Sequence, residues 1–397
     1  MRRIALSQPL AGIRVADFSH VMAGPYATHL LRLMGAEVIK IEPLAGDGFR
    51  NYGANRDTDG MSPAFVAANV GKKSIALNLK LEADLAIARR IVARSHVLVE
   101  NYRPGVIDRL GLGYDAVKVL RPDIVYCSVS GYGQQSEQRN WPAIDNIVQA
   151  TSGMMMLSGA EGDPPVRVGF PIVDTLTGQT AAVAILGALM QRERTGTGAY
   201  IDVSMLEATL AFMTSALTPY LLTGNALKRL GNTGYSELPT AGLFVARDGR
   251  HISLGVVQEN QFALLAHLLG QEQWLADARF ATADARRANF DAMVAELSAI
   301  LAQRDAAEWE GELSTAGIPC GMVRRVDEAA ELCSPDALLA IDLPGAGQVN
   351  VPNAGFRMSP GNPGTPEPPP VIDGNRDEIL QWLAEEEETL GEVSANG

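Results

Sequence analysis

The chemistry in this chain concentrates around one carboxylate. Asp174 stands in the stretch PPVRVGFPIVDTLTGQTAAVAILGALMQRERTGTGAYIDVSMLEA, residues 164–208, between a β-rich run (Val166 to Val173) and a helical run (Thr175 to Arg192). Between Asp174 and Gln191, Gln179 is the only polar side chain larger than threonine, so the helix reads as largely buried. An Asp at that place is expected to be the N-cap, facing unpaired N–H groups and the positive end of the helix dipole. The same setting keeps a carboxylate ionised and supplies donors for an oxyanion formed beside it. Aspartate also caps many helices without doing chemistry, and on these residues alone both readings stand.

The order P-x-R-V-G, then D-x-x-T-G, an Ala-rich helix, then R-T-G-x-G-x-x-I-D-V-S-M-x-E-A resembles the family III CoA-transferases, the group of formyl-CoA transferase, carnitine CoA-transferase and α-methylacyl-CoA racemase. Matches recur from Leu10 to about Leu380. The resemblance implies that Asp174 is the nucleophile. It also implies an acyl-CoA:carboxylate CoA-transferase with coenzyme A as acyl-CoA substrate, working through an aspartyl-CoA thioester, with no metal, flavin or nicotinamide. Lys72 and Lys73 in NVGKKSIALNL, and Asn101, Arg103 and Arg109 in ENYRPGVIDRLG, fall in the family's CoA-binding region; without the resemblance such cations read as solvated surface charges. Asn101 and Arg109 match CoA-contacting positions. DFSHVMAGPYAT matches the loop beside the thioester, placing Met22 and Ala23 at the site, with Met22 where formyl-CoA transferase has Gln. Gly24 and Pro25 there read as a turn and an N1 proline.

A racemase alternative needs two groups that can each hold a proton. Ile144 occupies the position of that branch's histidine, although Asp145 and Glu259 keep carboxylates at its other positions. A non-catalytic CoA-binding protein is the alternative from another class, and the intact D-x-x-T-G context argues against it. The second substrate is expected to be a small carboxylic acid. A dicarboxylate is entertained, with Arg50 in AGDGFRNYG as its clamp.

Around these residues the chain has 397 positions, 47% of them hydrophobic, enough for two to three domains and a packed core. The net charge of -13 argues against a nucleic-acid or anionic-membrane partner. Cys127, Cys320 and Cys333 lack C-x-x-C spacing and read as thiols of a reducing compartment. No apolar leader opens the sequence and no 18-residue apolar run interrupts it, so a soluble cytoplasmic protein is expected.

IRVADF, AEVIKIE, KSIALNL, HVLVENY and DIVYCSVSGYG read as strands alternating with helices, the pattern of a mainly parallel sheet covered on both faces. One helix groups Tyr26, Leu30, Leu31 and Met34; the next groups Leu81, Leu85, Ala88 and Val92. No G-x-G-x-x-G follows the first strand, so a dinucleotide site is not indicated. AYIDVSM is a further strand, followed by one long helix over Leu206 to Leu222. GLFVA and HISLGVV flank an R-D-G-R turn in a smaller α+β unit that GIPCGMV closes. The Gly- and Pro-dense stretch from Pro344 to Pro370 reads as irregular, before a terminal helix and a frayed acidic tail. The expected architecture is α/β: a Rossmann-like large domain over residues 1–225, completed by 330–397, and a small α+β domain over 226–329. The resemblance adds ring-shaped subunits interlocked as a homodimer.

Overall fold

A computed structural model describes residues 8–53 and 61–395, with side chains described through Glu385. Six strands form a parallel sheet: β1 (Arg14–Asp17), β2 (Glu37–Glu42), β3 (Lys73–Ala76), β4 (Val97–Glu100), β5 (Val125–Ser130) and β6 (Ala199–Ser204). Their order is β3-β2-β1-β4-β5-β6. Central strands buried on both faces favour apolar side chains at successive positions, as in VLVE of β4, while charged residues in the other strands are held by buried partners or stand at the strand ends. Val15, Val38, Val97, Val99 and Val125 pack on one face against Ala27, Leu31, Ala181, Ile185 and Leu189. Ala16, Ile39, Leu98 and Tyr126 pack on the other against Leu85, Ala88, Val92 and the C-terminal residues Ile379 and Leu383.

The order reverses between β1 and β4, each of which pairs directly with the other. In open α/β sheets that reversal splays the loops beyond the strand ends and leaves a crevice. The helix Ala23–Leu33 follows β1 into this crevice, and its N-terminal half crosses the helix Ile172–Thr195. Gly178 permits the crossing: a Cβ there would lie 2.7 Å from the Ala23 carbonyl oxygen.

The chain divides into two compact units. One is drawn from Met1–Gly153, Arg167–Thr218 and Ser334–Gly397; the other from Met154–Val166 and Pro219–Cys333. The smaller unit carries β7 (Leu243–Val245), β8 (His251–Leu254) and β9 (Cys320–Met322), antiparallel in that order. Its core gathers Phe262, Trp274, Phe280, Met293, Leu297 and Leu301. The segment 154–166, which the sequence reading left in the large domain, belongs here because Arg229 donates to the Ser158 and Pro164 carbonyls and Gly231 N–H to Gly159.

Several local expectations are corrected. No strand forms over Val166 to Val173. The apolar run from Leu206 to Leu222 is two helices, Met205–Phe212 and Thr214–Thr223, bent by 81°. Leu81 is 55% exposed because it is the N-cap of the helix Glu82–Ala93 and not part of its buried face. Pro25 is the third residue of its helix, a place whose N–H has no intrahelical acceptor in any case. Within the Gly- and Pro-dense stretch, β11 (Gly347–Pro352) pairs antiparallel with β10 (Leu338–Leu343), and the hairpin packs on Phe65, Val66 and Val70. The terminal helix runs Arg376–Ala395, through most of the acidic tail.

Candidate active site

Beyond the ends of β1, β4, β5 and β6 lies a cavity of about 240 Å³. Its first wall is the turn after β1. Asp17, at the strand's end, accepts from Ser19 N–H and Oγ, from Thr28 Oγ1 at 2.7 Å and from Lys72 Nζ at 3.0 Å. Burial would raise its pKa, but Lys72, Lys40 and these hydroxyls bring it down to about 2. The turn then adopts a costly shape: Val21 sits at φ 65°, a region that β-branched residues avoid. Strain of this kind, about 1–3 kcal/mol, persists only where neighbours over-determine it.

Three partners do so here, the half-buried Asn101 and the buried Lys40 and Asp47. Asn101 accepts from His20 N–H and donates to the His20 carbonyl, both at 2.7 Å. Lys40 donates to the Ser19 carbonyl at 2.8 Å and pairs with Asp47 at 3.0 Å. The Asp47 carboxylate in turn accepts from Val21 N–H at 3.2 Å. The result fixes Met22 and Ala23, the cap and first residue of the helix Ala23–Leu33, on the cavity wall.

Asp174 enters from the helix Ile172–Thr195. It is not the N-cap that the sequence suggested: Pro171 holds that place, and Asp174 lies in the first turn. The N–H groups of Val173 and Asp174, which have no acceptor within the helix, are satisfied from outside it, by Asp145 Oδ2 at 2.7 and 3.1 Å. Asp145 Oδ1 accepts from Gln149 at 2.6 Å, and Gln149 Oε1 accepts from Val168 N–H. With capping transferred to Asp145, the Asp174 side chain is released toward the cavity, and among the described residues it accepts no hydrogen bond. Desolvation, reinforced by the Asp145 charge, pushes its pKa up to about 7.

Of the residues that the sequence singled out, Met22, Ala23, Asn101, Arg103 and Asp174 line this cavity together. Lys72 does not, and it is unavailable to a ligand: its ammonium is buried among Asp17, Thr28, Asn69 and the Pro25 carbonyl. Lys73 is held by Glu37 and Glu378 at 2.7 and 2.6 Å. Arg50 is no clamp for a substrate either; it is buried, bidentate to Glu42, with its plane on Phe65. Arg109 stands exposed at the end of the short helix Val106–Arg109, with no acceptor among the described residues.

The cavity also gathers residues that spacing did not flag. Arg139, Trp141 and Met205 line it, and Ile144, 63% exposed, borders it at the start of the helix Asp145–Thr151. The His20 ring meets Tyr102 edge-on at 4.9 Å, and desolvation followed by the Lys40 charge lowers its pKa, so it is neutral at pH 7. A second cleft of about 340 Å³ runs past the ends of β2 and β3, lined by Glu42, Leu44, Leu77, Asn78, Lys80 and Leu110. Tyr102 borders both spaces. Among the described residues no cluster of His, Cys, Asp and Glu could hold a metal ion.

With this geometry the sequence matches CoA-transferase family III over residues 10–376. The chain belongs to that family. It is 40% identical to an acetyl-CoA:oxalate CoA-transferase of Acetobacter aceti, over 82% of this chain and 83% of that one. To a succinyl-CoA:glutarate CoA-transferase of Mus musculus it is 34% identical, over 94% and 86%. The fold superposes on a CAIB/BAIF family protein from Brucella suis with a TM-score of 0.85 and 28% identity, covering 95% of this chain and 100% of that one. The activity is that of an acyl-CoA:carboxylate CoA-transferase, with a CoA thioester as substrate. Glu259, the position shared with the racemase branch, begins the helix Glu259–Leu268 and is committed to Arg286 at 2.9 Å and to the Ala283 N–H.

Proposed function

We propose that this member transfers CoA to a small dicarboxylic acid through a thioester formed on Asp174. The observation that carries this reading is a half-buried carboxylate that accepts no hydrogen bond among the described residues and lines a cavity beside the opening turn of a second helix. Ionised Asp174 attacks the thioester carbonyl, giving a mixed anhydride and CoA thiolate. The thiolate attacks the aspartyl carbonyl, leaving aspartyl-CoA and the free donor acid. The acceptor carboxylate then attacks aspartyl-CoA, and the thiolate so released attacks the acceptor's acyl carbon, freeing Asp174. One thioester is exchanged for another, so no nucleoside triphosphate enters. Backbone N–H groups in the first turn of the helix Ala23–Leu33 lack intrahelical partners, which suits them to the oxyanion of each tetrahedral intermediate.

Two clefts that share the Tyr102 side chain support a course for CoA past that ring, with its nucleotide over the ends of β2 and β3 and its thiol at Asp174. Arg103, Arg109 and Lys80 are the cations on that course. Relatives that act on oxalate and glutarate support a dicarboxylate acceptor. Racemisation is disfavoured because Ile144 cannot hold a proton where two opposed bases are required. A homodimer is supported by the helix Ile172–Thr195, half of whose most apolar stretch is left uncovered, with Val183 70% and Met190 58% exposed. Three free thiols fit a reducing, cytoplasmic setting.

The test is to mix the protein with a panel of acyl-CoA donors and carboxylic acids and to follow exchanged thioesters by mass spectrometry. The Asp174 peptide should gain the mass of CoA less water when a donor is supplied alone. Exchange without any adduct on that peptide would sink the covalent route.

A further inference from the structure

Arg50 was the sequence's choice for gripping a second carboxylate, and its burial against Glu42 leaves that role unfilled. The structure supplies another guanidinium at the right place. We propose that Arg139 binds the far carboxylate of the acid substrate, with Trp141, Ile144 and Met205 lying along its carbon chain; this rests on the transferase reading above.

The position follows from the order of the sheet. The second cleft lies past the ends of β2 and β3 and shares one lining side chain, Tyr102 after β4, with the Asp174 cavity. A CoA molecule running that way reaches Asp174 with its thiol, so the acyl group continues toward the remaining strands, β5 and β6. Arg139, Trp141 and Ile144 follow β5, and Met205 follows β6. Arg103 follows β4 and stays on the CoA side.

The loop that carries Arg139 is built to hold a shape. Gly133 N–H donates to Ser130 Oγ at 3.1 Å, and Gln134 N–H to Asp202 at 2.8 Å on the neighbouring strand. Two reverse turns follow, Arg139 N–H to the Ser136 carbonyl and Trp141 N–H to the Gln138 carbonyl. Trp141 meets the buried Tyr132 ring edge-on at 5.9 Å. Other arginines of this unit are neutralised internally: Arg121 and Arg192 by Asp123, Arg14 by Glu37, Arg50 by Glu42. Arg139 has no acceptor among the described residues, yet it lines the cavity that holds the Asp174 carboxylate. A planar guanidinium with free donors matches a carboxylate in bidentate fashion. The apolar side chains of Trp141, Ile144 and Met205, which line the same cavity, suit methylenes. The substrate class is therefore an acid with two carboxylates, one that becomes the thioester and one that stays ionised against Arg139.

The experiment compares wild type, Arg139→Met and Arg139→Lys with one acyl-CoA donor and paired acceptors of equal length: succinate with butyrate, glutarate with valerate. Wild type should favour the dicarboxylate of each pair. Arg139→Met should lower kcat/KM for dicarboxylates by about 10- to 100-fold, the range for a lost charge-assisted pair, while the monocarboxylates and the KM for the CoA donor stay within about threefold. Arg139→Lys should recover part of the loss. Equal losses for both acids of a pair, a dicarboxylate preference that survives Arg139→Met, or a rise confined to the donor's KM would each overturn the assignment. Absence of exchange and of an Asp174 adduct in wild type is a different result; it would remove the transferase reading and this one with it.

Discussion

Replacing Asp174 with asparagine should end transfer and, above neutral pH, make the protein harder to unfold. The folded carboxyl has its pKa near 7 against an ordinary 3.8. A gap of about 3 units at 1.36 kcal/mol each sets a ceiling of about 4 kcal/mol, and solvent reaching this half-buried group reduces it to about 2 kcal/mol. The sign follows from proton binding. Between about pH 4 and pH 7 the folded state keeps a proton that the unfolded chain has released, so wild-type stability from this group falls as pH rises through that window and is level above it. Asparagine does not titrate, so the variant should gain on wild type across the same window, with nothing gained at about pH 4 and the full difference above about pH 7. Urea midpoints at fixed protein concentration, taken at several pH values, measure this directly. Transfer should fall at least about 10³-fold, as for loss of an attacking group. A variant about 1 kcal/mol less stable than wild type at pH 8, the signature of a lost helix cap, would refute the reasoning, as would activity within tenfold of wild type.

In wild type, kcat/KM should rise as pH climbs through about 7, because the attacking form of Asp174 is ionised. Asp145→Asn removes the second cause of that shift and should move the limb to lower pH, at about 1–3 kcal/mol of stability for the disturbed Gln149 and helix N–H bonds; a stationary limb would refute the assignment of that limb to Asp174 beside Asp145. Lys72→Met leaves Asp17 buried without its ion-pair partner and should cost about 3–5 kcal/mol in chemical denaturation, without raising the KM for acyl-CoA in the enzyme that remains folded. Arg109→Ala should raise KM for all acyl-CoA donors with kcat unchanged, whereas Asn101→Ala, which frees the His20–Val21 turn, should lower kcat in steady-state assays.

The sheet was legible because short β-branched runs alternate with helical patterns along the first half of the chain, as a parallel sheet with crossover helices requires. Asp174 was legible as a carboxylate at a helix start, but its cap was not: Asp145 reaches it from 29 residues away. Lys72 and Lys73 look alike in sequence, yet neighbours entering a strand point to opposite faces. One meets Asp17 inside; the other meets Glu37 and Glu378 at the rim. The alternation in LLAIDL and QVNVP was present, but the count of Gly and Pro around it masked the hairpin. The bend between Phe212 and Thr214 falls on Met213, with no Gly or Pro at the break to announce it. Arg139 carries no signal in spacing, because its position depends on a loop fixed by Tyr132, Trp141 and Asp202.

The three buried ion pairs beneath the cavity, Lys72 with Asp17, Lys40 with Asp47 and Arg50 with Glu42, carry a consequence for how this protein can diverge. Removing any one partner strands a charge at about 3–5 kcal/mol, a large share of the 5–15 kcal/mol that a folded domain typically has in reserve. Lineages cannot readily cross that gap one substitution at a time, so the six side chains should be inherited as a block. Arg139, Trp141 and Ile144 belong to none of these pairs. New acid preferences can therefore arise by single steps in the wall while the floor stays fixed, and laboratory evolution of acceptor choice should find its first mutations there.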